Sequence, residues 1–417
     1  MKYSVLTFGC RVNQADSLAI EDAFLQRGAV PGPPVDADVV VVNTCSVTAS
    51  ADQGARQAIR RIARSNPRAR IVATGCYASR CAGELSALPS VVQVVPNREK
   101  DAFGAVLDAL IPPDPARYVD GDGPCGSSLR PGAAGRTAFT LRVQTGCDER
   151  CAYCIIPSTR GPGRSKALHE VVTDVNRAVA AGYREIAVTG VHLGSWGRDL
   201  GGGATLEQLL EVLARWPDDV LFRVSSLEPM DCTDAIVDLV AGSPRLAPHF
   251  HLPLQHGSDR MLRAMHRPYT AASYVRLVQR IHQQMPWAAV GTDVIVGFPG
   301  ELDADMAALR EVLRDLPTSH LHVFPYSDRP GTEASRLGGK VDGAVVRARA
   351  TEIRGLGAAM VRRFRAAQAG SRRRALVVDD GWSAVTDNYL KVRLDRQALR
   401  NDWVDVRVDD AADRGPD

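Results

Sequence analysis

The sequence predicts an α/β protein in three parts: an N-terminal parallel sheet flanked by helices, a central partial βα barrel, and a small β domain at the end. Three observations carry this. Short apolar strands alternate with amphipathic helices over residues 1 to about 105, a longer strand–helix series starts near Phe139, and the last stretch holds only short strands joined by turns. Strand–helix alternation implies parallel pairing, because consecutive parallel strands need a crossover long enough to hold a helix.

Taken in order, Tyr3–Phe8, Asp38–Val42 and Arg70–Thr74 read as strands, with helices over Asp16–Gln26 and Ala49–Ala63 and one further βα unit, making a domain of residues 1–110. Residues 111–136 are rich in Pro, Gly and Ser without periodicity and read as a linker. Strands near Phe139–Gln144, Glu185–Thr189, Val220–Ser225, His249–Leu254, Val290–Val296 and His320–Pro325 follow, separated by helical stretches such as Ala271–Gln284 and Asp303–Asp315. These six units predict a partial barrel over residues 137–370. Ala375–Asp379, Ser383–Val385, Leu390–Leu394 and Trp403–Val408 then form a short β domain, residues 371–417, of an OB-like kind.

With 417 residues the chain exceeds what a single core fills, which agrees with several domains. A hydrophobic share of 45% with 24% charged residues excludes fibrous and disordered classes. No apolar run approaches the roughly 20 residues that cross a bilayer. Met1 to Cys10 lacks a basic region followed by a long apolar stretch, so we expect a cytoplasmic protein with no membrane partner. Formal charge is only +3, but Val345 to Arg374 holds nine arginines against Glu352. Arg362, Arg363, Arg365, Arg372, Arg373 and Arg374 are the candidate phosphate contacts, with a solvated helix face as the plainer reading.

Nine cysteines in a chain of this size are not a disulfide scaffold, and in a reducing compartment clustered thiols bind metal or do chemistry. In "QTGCDERCAYCIIPSTRG" Cys147, Cys151 and Cys154 stand at spacing C-x3-C-x2-C directly after a strand. Iron–sulfur clusters normally take four cysteines, so three leave one iron open to a ligand. The alternative is a zinc site completed by His169 or His192. Cys10, Cys45 and Cys76 are distant in sequence, yet each ends an apolar strand, "VLTFGC", "VVVVNTC" and "IVATGC". Parallel strands share one carboxyl edge, so these thiols can converge on a second cluster, with buried small hydrophobes as the alternative. Cys81, Cys125 and Cys232 have no partner at ligand spacing.

The C-x3-C-x2-C loop at the first barrel strand resembles the radical S-adenosylmethionine superfamily. There the open iron chelates the methionine end of S-adenosylmethionine, and an electron passed to the sulfonium releases a 5′-deoxyadenosyl radical. Tyr153 matches the position that meets the adenine. Thr189, Gly190, Ser225, Glu228, Gln255, Gly297 and Pro299 fall at strand ends, the active face of a βα barrel, and are the remaining cofactor-binding candidates. Glycine and proline there are also ordinary turn residues.

Over nearly its whole length the chain resembles the methylthiotransferase family, and "FGCRVNQADS" and "HVFPYSDRPGTEAS" resemble its MtaB branch. The resemblance implies two [4Fe–4S] clusters, S-adenosylmethionine as methyl donor and radical source, and a terminal TRAM-like RNA-binding domain, here short. It implies a transfer RNA substrate, an electron donor of flavodoxin or ferredoxin type, and a sulfur donor. The reaction implied is 2-methylthiolation of N6-threonylcarbamoyladenosine at position 37, by hydrogen abstraction and attack of the carbon radical on sulfur at the second cluster, with no side chain as acid–base catalyst. Other branches act on isopentenyladenosine or on a ribosomal-protein aspartate. A reading of another class is an iron–sulfur carrier without turnover. Trp382 and Tyr389 are candidate base stackers or core aromatics.

Overall fold

A computed structural model describes residues 1–111, 130–132 and 136–409. Cys125, most of the expected linker and the acidic tail beyond Asp409 lie outside the described residues. The first domain runs β1 (Lys2–Thr7), α1 (Arg11–Gln26), β2 (Val30–Pro31), β3 (Val39–Thr44), α2 (Ala49–Ser65), β4 (Arg70–Gly75), α3 (Cys76–Arg80), α4 (Ala82–Ser86), β5 (Val91–Pro96) and α5 (Phe103–Leu110). Its five strands pair in parallel in the order β2-β1-β3-β4-β5. Every residue of β3 is buried, as expected for a central strand with helices on both faces.

The second domain comprises β6 (Phe139–Arg142), β7 (Gln144–Thr145), α6 (Ile156–Arg160), β8 (Arg164–Ser165), α7 (Leu168–Ala180), β9 (Glu185–Thr189), α8 (Leu206–Ala214), β10 (Leu221–Val224), α9 (Asp234–Gly242) and β11 (His249–His251). It continues through α10 (Asp259–Ala264), α11 (Ala271–Gln284), β12 (Ala289–Val296), α12 (Asp303–Asp315), β13 (His320–Pro325) and α13 (Gly343–Gln368). Two parallel sheets, β10-β9-β6 and β11-β12-β13, are linked by single bridges Phe222↔Leu246 and Ser226↔His251, so the six strands curve as one partial barrel. Its apolar core lies between these strands and the outer helices, from Leu141 and Ile186 round to Val294 and Leu309.

The chain ends in β14 (Arg372–Val378), β15 (Ser383–Thr386), β16 (Lys391–Arg393) and β17 (Trp403–Arg407), an antiparallel sheet of order β16-β15-β14-β17. The expected OB-like barrel is therefore an open sheet: among the described residues its edge strands do not pair with each other. The arginine run is not one helix either. α13 stops at Gln368, Gly370 turns the chain at φ +80°, and Arg372, Arg373 and Arg374 stand on β14.

Candidate active site

The loop after β6 is tied down by its own backbone. The short β7–β8 pair closes residues 146–163, Cys147 N–H donates to Gly161 C=O at 3.1 Å, and Cys154 N–H to Cys151 C=O at 3.0 Å. Gly146 takes φ +72°, and a Cβ there would fall on the Pro162 carbonyl. Underneath, Ala152 joins Met261, Met265, Phe298 and Ala334 in an apolar cluster against which Tyr153 packs. Cys147, Cys151 and Cys154 thus line one cavity of about 430 Å³ with Gly161 and Gly331.

Burial pushes the Cys154 thiol up to about 12 and raises Cys151, where Arg267 opposes the shift. Arg267 donates to Cys151 Sγ at 3.0 Å, is ion-paired with Glu228 and lies 5.1 Å from the Tyr269 ring centroid. Buried thiols held so high ionise only against a strong cation. Three soft donors in one cavity, with room for a fourth ligand, fit an iron–sulfur cluster with one open position. His192 stands beside the trio: burial works against its charge, but hydrogen bonds to Asp231, 2.7 Å from its Nε2, and to Cys147 raise its pKa to about 10.

Cys10, Cys45 and Cys76 do stand together at the carboxyl ends of the adjacent strands β1, β3 and β4. A Cβ on Gly9, at φ +92°, would lie 2.5 Å from both Cβ and Sγ of Cys45, and one on Gly75, at φ +100°, would fall on the Thr44 carbonyl. Burial raises Cys45 to about 11, with Cys76 and Cys10 adding to the shift. Asn97 Nδ2 lies 3.5 Å from Cys76 Sγ. The donor set and the glycine-made space fit a second cluster.

Arg160 reaches from the segment that follows the first trio to the second trio. It ends α6, six residues after Cys154, and although burial opposes its charge, Cys76, Asp16 and Cys10 keep it protonated. Its Nη2 lies 3.0 Å from Asp16, which also pairs with Lys100 and Arg142.

The strand-end candidates divide. Thr189 is buried at the end of β9, Gly190 packs on Gln144, and Ser225 Oγ is buried without a hydrogen-bond partner. Gln255 follows β11 at φ +65° and exchanges backbone hydrogen bonds with β12. Gly297 N–H donates to the Glu301 carboxylate at 2.9 Å, and the turn through Pro299 sets Phe298 under the cysteine loop.

Of the arginines, Arg363 caps the carbonyls of Arg314 and Leu316, Arg365 bonds the Lys391 carbonyl, Arg373 pairs with Asp387, and Arg374 pairs with Asp219 over the Trp403 ring. Arg362 and Arg372 are exposed. Trp382 and Tyr389 are both exposed, and Tyr389 in addition packs on His249 of the barrel and accepts a hydrogen bond from Arg11 at 3.0 Å. Sequence reasoning missed Arg267, Tyr269, Arg160 and Asp16. It also missed His249, His251, His320 and His322, for which "HFH" and "HLH" are a usable signal, since period two puts paired histidines on one strand face.

Residues 2–96 match the model of an uncharacterized protein family, UPF0004, and residues 141–313 that of the radical SAM superfamily. A threonylcarbamoyladenosine tRNA methylthiotransferase MtaB of Aquifex aeolicus is 36% identical over 94% of this chain and 96% of its own length. The MtaB of Bacillus subtilis is 32% identical over 93% and 88%. A tRNA-2-methylthio-N(6)-dimethylallyladenosine synthase of Parafrankia is 35% identical over 91% and 78%. Among solved structures, the radical S-adenosylmethionine methyltransferase TsrM of Kitasatospora setae shares the fold with TM-score 0.57 at 15% identity, over 80% of this chain and 73% of that one.

Proposed function

The chain belongs to the radical S-adenosylmethionine methylthiotransferases of the threonylcarbamoyladenosine type, and we infer that it places a methylthio group on carbon 2 of N6-threonylcarbamoyladenosine beside the anticodon of transfer RNA. The observation that supports this reading is two sets of three cysteines at strand ends, the first lining one cavity and the second on adjacent strands with Arg160 beside it. Cys147, Cys151 and Cys154 would hold one [4Fe–4S] cluster, and Cys10, Cys45 and Cys76 a second. Bound there with S-adenosylmethionine, the first would supply a 5′-deoxyadenosyl radical, and the second would be the site at which sulfur is delivered.

The chain's own side chains position and shield. Arg267 sets a positive charge against Cys151, and Glu228 fixes that guanidinium in place. We assign Tyr153, Thr189, Gly190, Ser225, Glu228, Gln255, Gly297 and Pro299 to S-adenosylmethionine. The unpartnered Ser225 hydroxyl supports a polar ligand at that strand end, since a buried hydroxyl left without a partner is costly. Arg362 and Arg372, free to face a polyanion, would contact transfer RNA phosphates, which position without reading sequence. An electron donor of flavodoxin or ferredoxin type and a sulfur donor complete the set. No helix among the described residues is long and apolar enough to cross a membrane; we place the enzyme in the cytoplasm because transfer RNA is its proposed substrate.

Two variants of the anaerobically reconstituted, reduced enzyme test this division of labour. Cys10→Ala should still release 5′-deoxyadenosine from S-adenosylmethionine but form no methylthio product, and Cys151→Ala should do neither. Full product formation by Cys10→Ala would remove the second trio from the reaction.

A further inference from the structure

The two stretches that resemble the threonylcarbamoyl branch each send one side chain to the same run of rings along the barrel. Arg11, from the first, donates to the Tyr389 hydroxyl, and His322, from the second, has Nδ1 2.9 Å from Asp293 Oδ1. A wall of rings runs between them: Tyr389 to His249 at 4.6 Å, Tyr389 to His320 at 6.3 Å, and His320 to His322 at 5.3 Å between centroids. His251 Nε2 lies 2.9 Å from the same Asp293 oxygen. Period two explains the shared face: 249 and 251 on β11, 291 and 293 on β12, 320 and 322 on β13. Thr292, on the opposite face, is bonded by Tyr274 of the outer helix α11 at 2.8 Å, so the wall looks into the barrel. A side chain at Gly291 would fall on the His320 ring.

The wall is made for an anion with further polar groups. Arg11 has no carboxylate partner among the described residues, and burial together with Arg11 lowers the pKa of Arg136, a second cation close by. His249 is 4% exposed, yet neither ring nitrogen has a hydrogen-bond partner, an arrangement that costs stability unless something fills it. Asp293 Oδ1 takes one nitrogen of each of His251 and His322, which turns the other nitrogen of each ring away from it.

We propose that this wall is the subsite for the threonylcarbamoyl group of the modified adenosine, with Arg11 as the contact for its carboxylate, His322 as a contact for its other polar groups, and Asp293 as the positioning residue that orients the imidazoles. It rests on the functional reading above. Because Arg11 follows Cys10, a carboxylate held there sets the nucleobase beside the second thiol trio. The threonylcarbamoyl group differs from an isopentenyl group in its carboxylate and hydroxyl, and a site built for a charged group rejects the analogue lacking it.

The test uses the reconstituted holoenzyme and anticodon stem–loop RNAs carrying threonylcarbamoyladenosine, its threoninamide analogue, or isopentenyladenosine. Wild type should favour the acid over the amide by about 10–100-fold in kcat/KM, the range for one charged hydrogen-bonded contact. Arg11→Gln should bring that ratio to about threefold or less, by raising KM for the acid while the amide is still turned over, and His322→Gln should raise KM for acid and amide alike with kcat kept. A general folding defect would slow both substrates alike and leave the ratio in place. A wild-type ratio in Arg11→Gln, with threonylcarbamoyl product still formed, overturns the subsite alone. Conversion of only the isopentenyl RNA by wild type overturns the functional reading and the subsite with it. His251, Asp293 and His322 also place three ligand atoms within 4.8 Å of one another. Zinc or manganese retained stoichiometrically by wild type and lost in His322→Gln would assign them to a cation instead, and overturn the proposal.

Discussion

Replacing Asp16 with alanine should loosen the first domain from the barrel. Asp16 lies on α1 with its side chain 1% exposed, and it neutralises Lys100, Arg160 and Arg142, whose side chains are 6%, 2% and 28% exposed. Lys100 belongs to the first domain, while Arg142 and Arg160 belong to β6 and α6, so one carboxylate pins two domains. Removing it leaves two cations in a nearly dry interface, and breaking such a buried arrangement costs about 3–5 kcal/mol. Burial already lowers the pKa of Lys100 against the pull of Asp16, so in the variant Lys100 can shed its proton, which sets the cost towards the lower end. All five tryptophans lie at Trp196 or beyond, so their fluorescence is blind to this domain. Hydrogen exchange read on peptides of α1 and α6 is the assay. A loss of about 3–5 kcal/mol accelerates exchange there by roughly two to three and a half orders of magnitude. Acceleration below about threefold, under 1 kcal/mol, would refute the reasoning. The pH dependence has a definite sign. Burial opposes ionisation of Asp16, but Lys100, Arg160 and Arg142 outweigh it and hold its carboxyl well below the usual range. Its contribution is therefore complete above the unfolded-chain value of about 3.9 and drains away as the pH falls from there toward the folded value. The gap between wild type and variant should narrow only in acid, below about pH 4.

Other substitutions separate strain, charge and phosphate contact. Gly75→Ala should cost about 2–5 kcal/mol and lower iron content, because its Cβ meets the Thr44 backbone at φ +100°, whereas Gly201→Ala, at φ +73° with open space around it, should cost about 1–2 kcal/mol; equal melting shifts would contradict this. Arg267→Met takes a cation from 3.0 Å of Cys151 and strands Glu228, so reductive cleavage of S-adenosylmethionine should slow about 10–100-fold, and wild-type rates would remove Arg267 from the site. Arg362→Gln and Arg372→Gln should each lower the salt-dependence slope of transfer RNA binding by about 1, as expected for a lost phosphate contact. Arg374→Gln should instead lower thermal stability, since Arg374 is held by Asp219 and Trp403; an unchanged melt would contradict that.

Much of the architecture was legible because apolar alternation reports strands directly. The predicted β9 and β13 coincide with the observed ones, while β11 stops at His251 because Pro253 cannot donate to a ladder and Gln255 turns at φ +65°. The start of α1 was missed by five residues: Asn13 and Asp16 are polar yet buried, satisfied by Arg160 and Lys100 from far along the chain, which breaks the amphipathic pattern. Cysteines were legible through spacing and strand ends. The contact of Arg267 with Cys151 was not, since it spans 116 residues and sits in a helix connection with no periodic signal. Composition also cannot show that Arg363, Arg373 and Arg374 are already paired within the fold.

Mass spectrometry of nucleosides from transfer RNA, in cells with and without this chain and with no second enzyme for the same step, tests the central claim most directly. Loss of 2-methylthio-N6-threonylcarbamoyladenosine on deletion, with accumulation of its unthiolated precursor and restoration by wild type but not by Cys10→Ala or Cys151→Ala, is the predicted result. An unchanged level of that nucleoside, or loss of the 2-methylthio isopentenyl nucleoside in its place, would contradict the account.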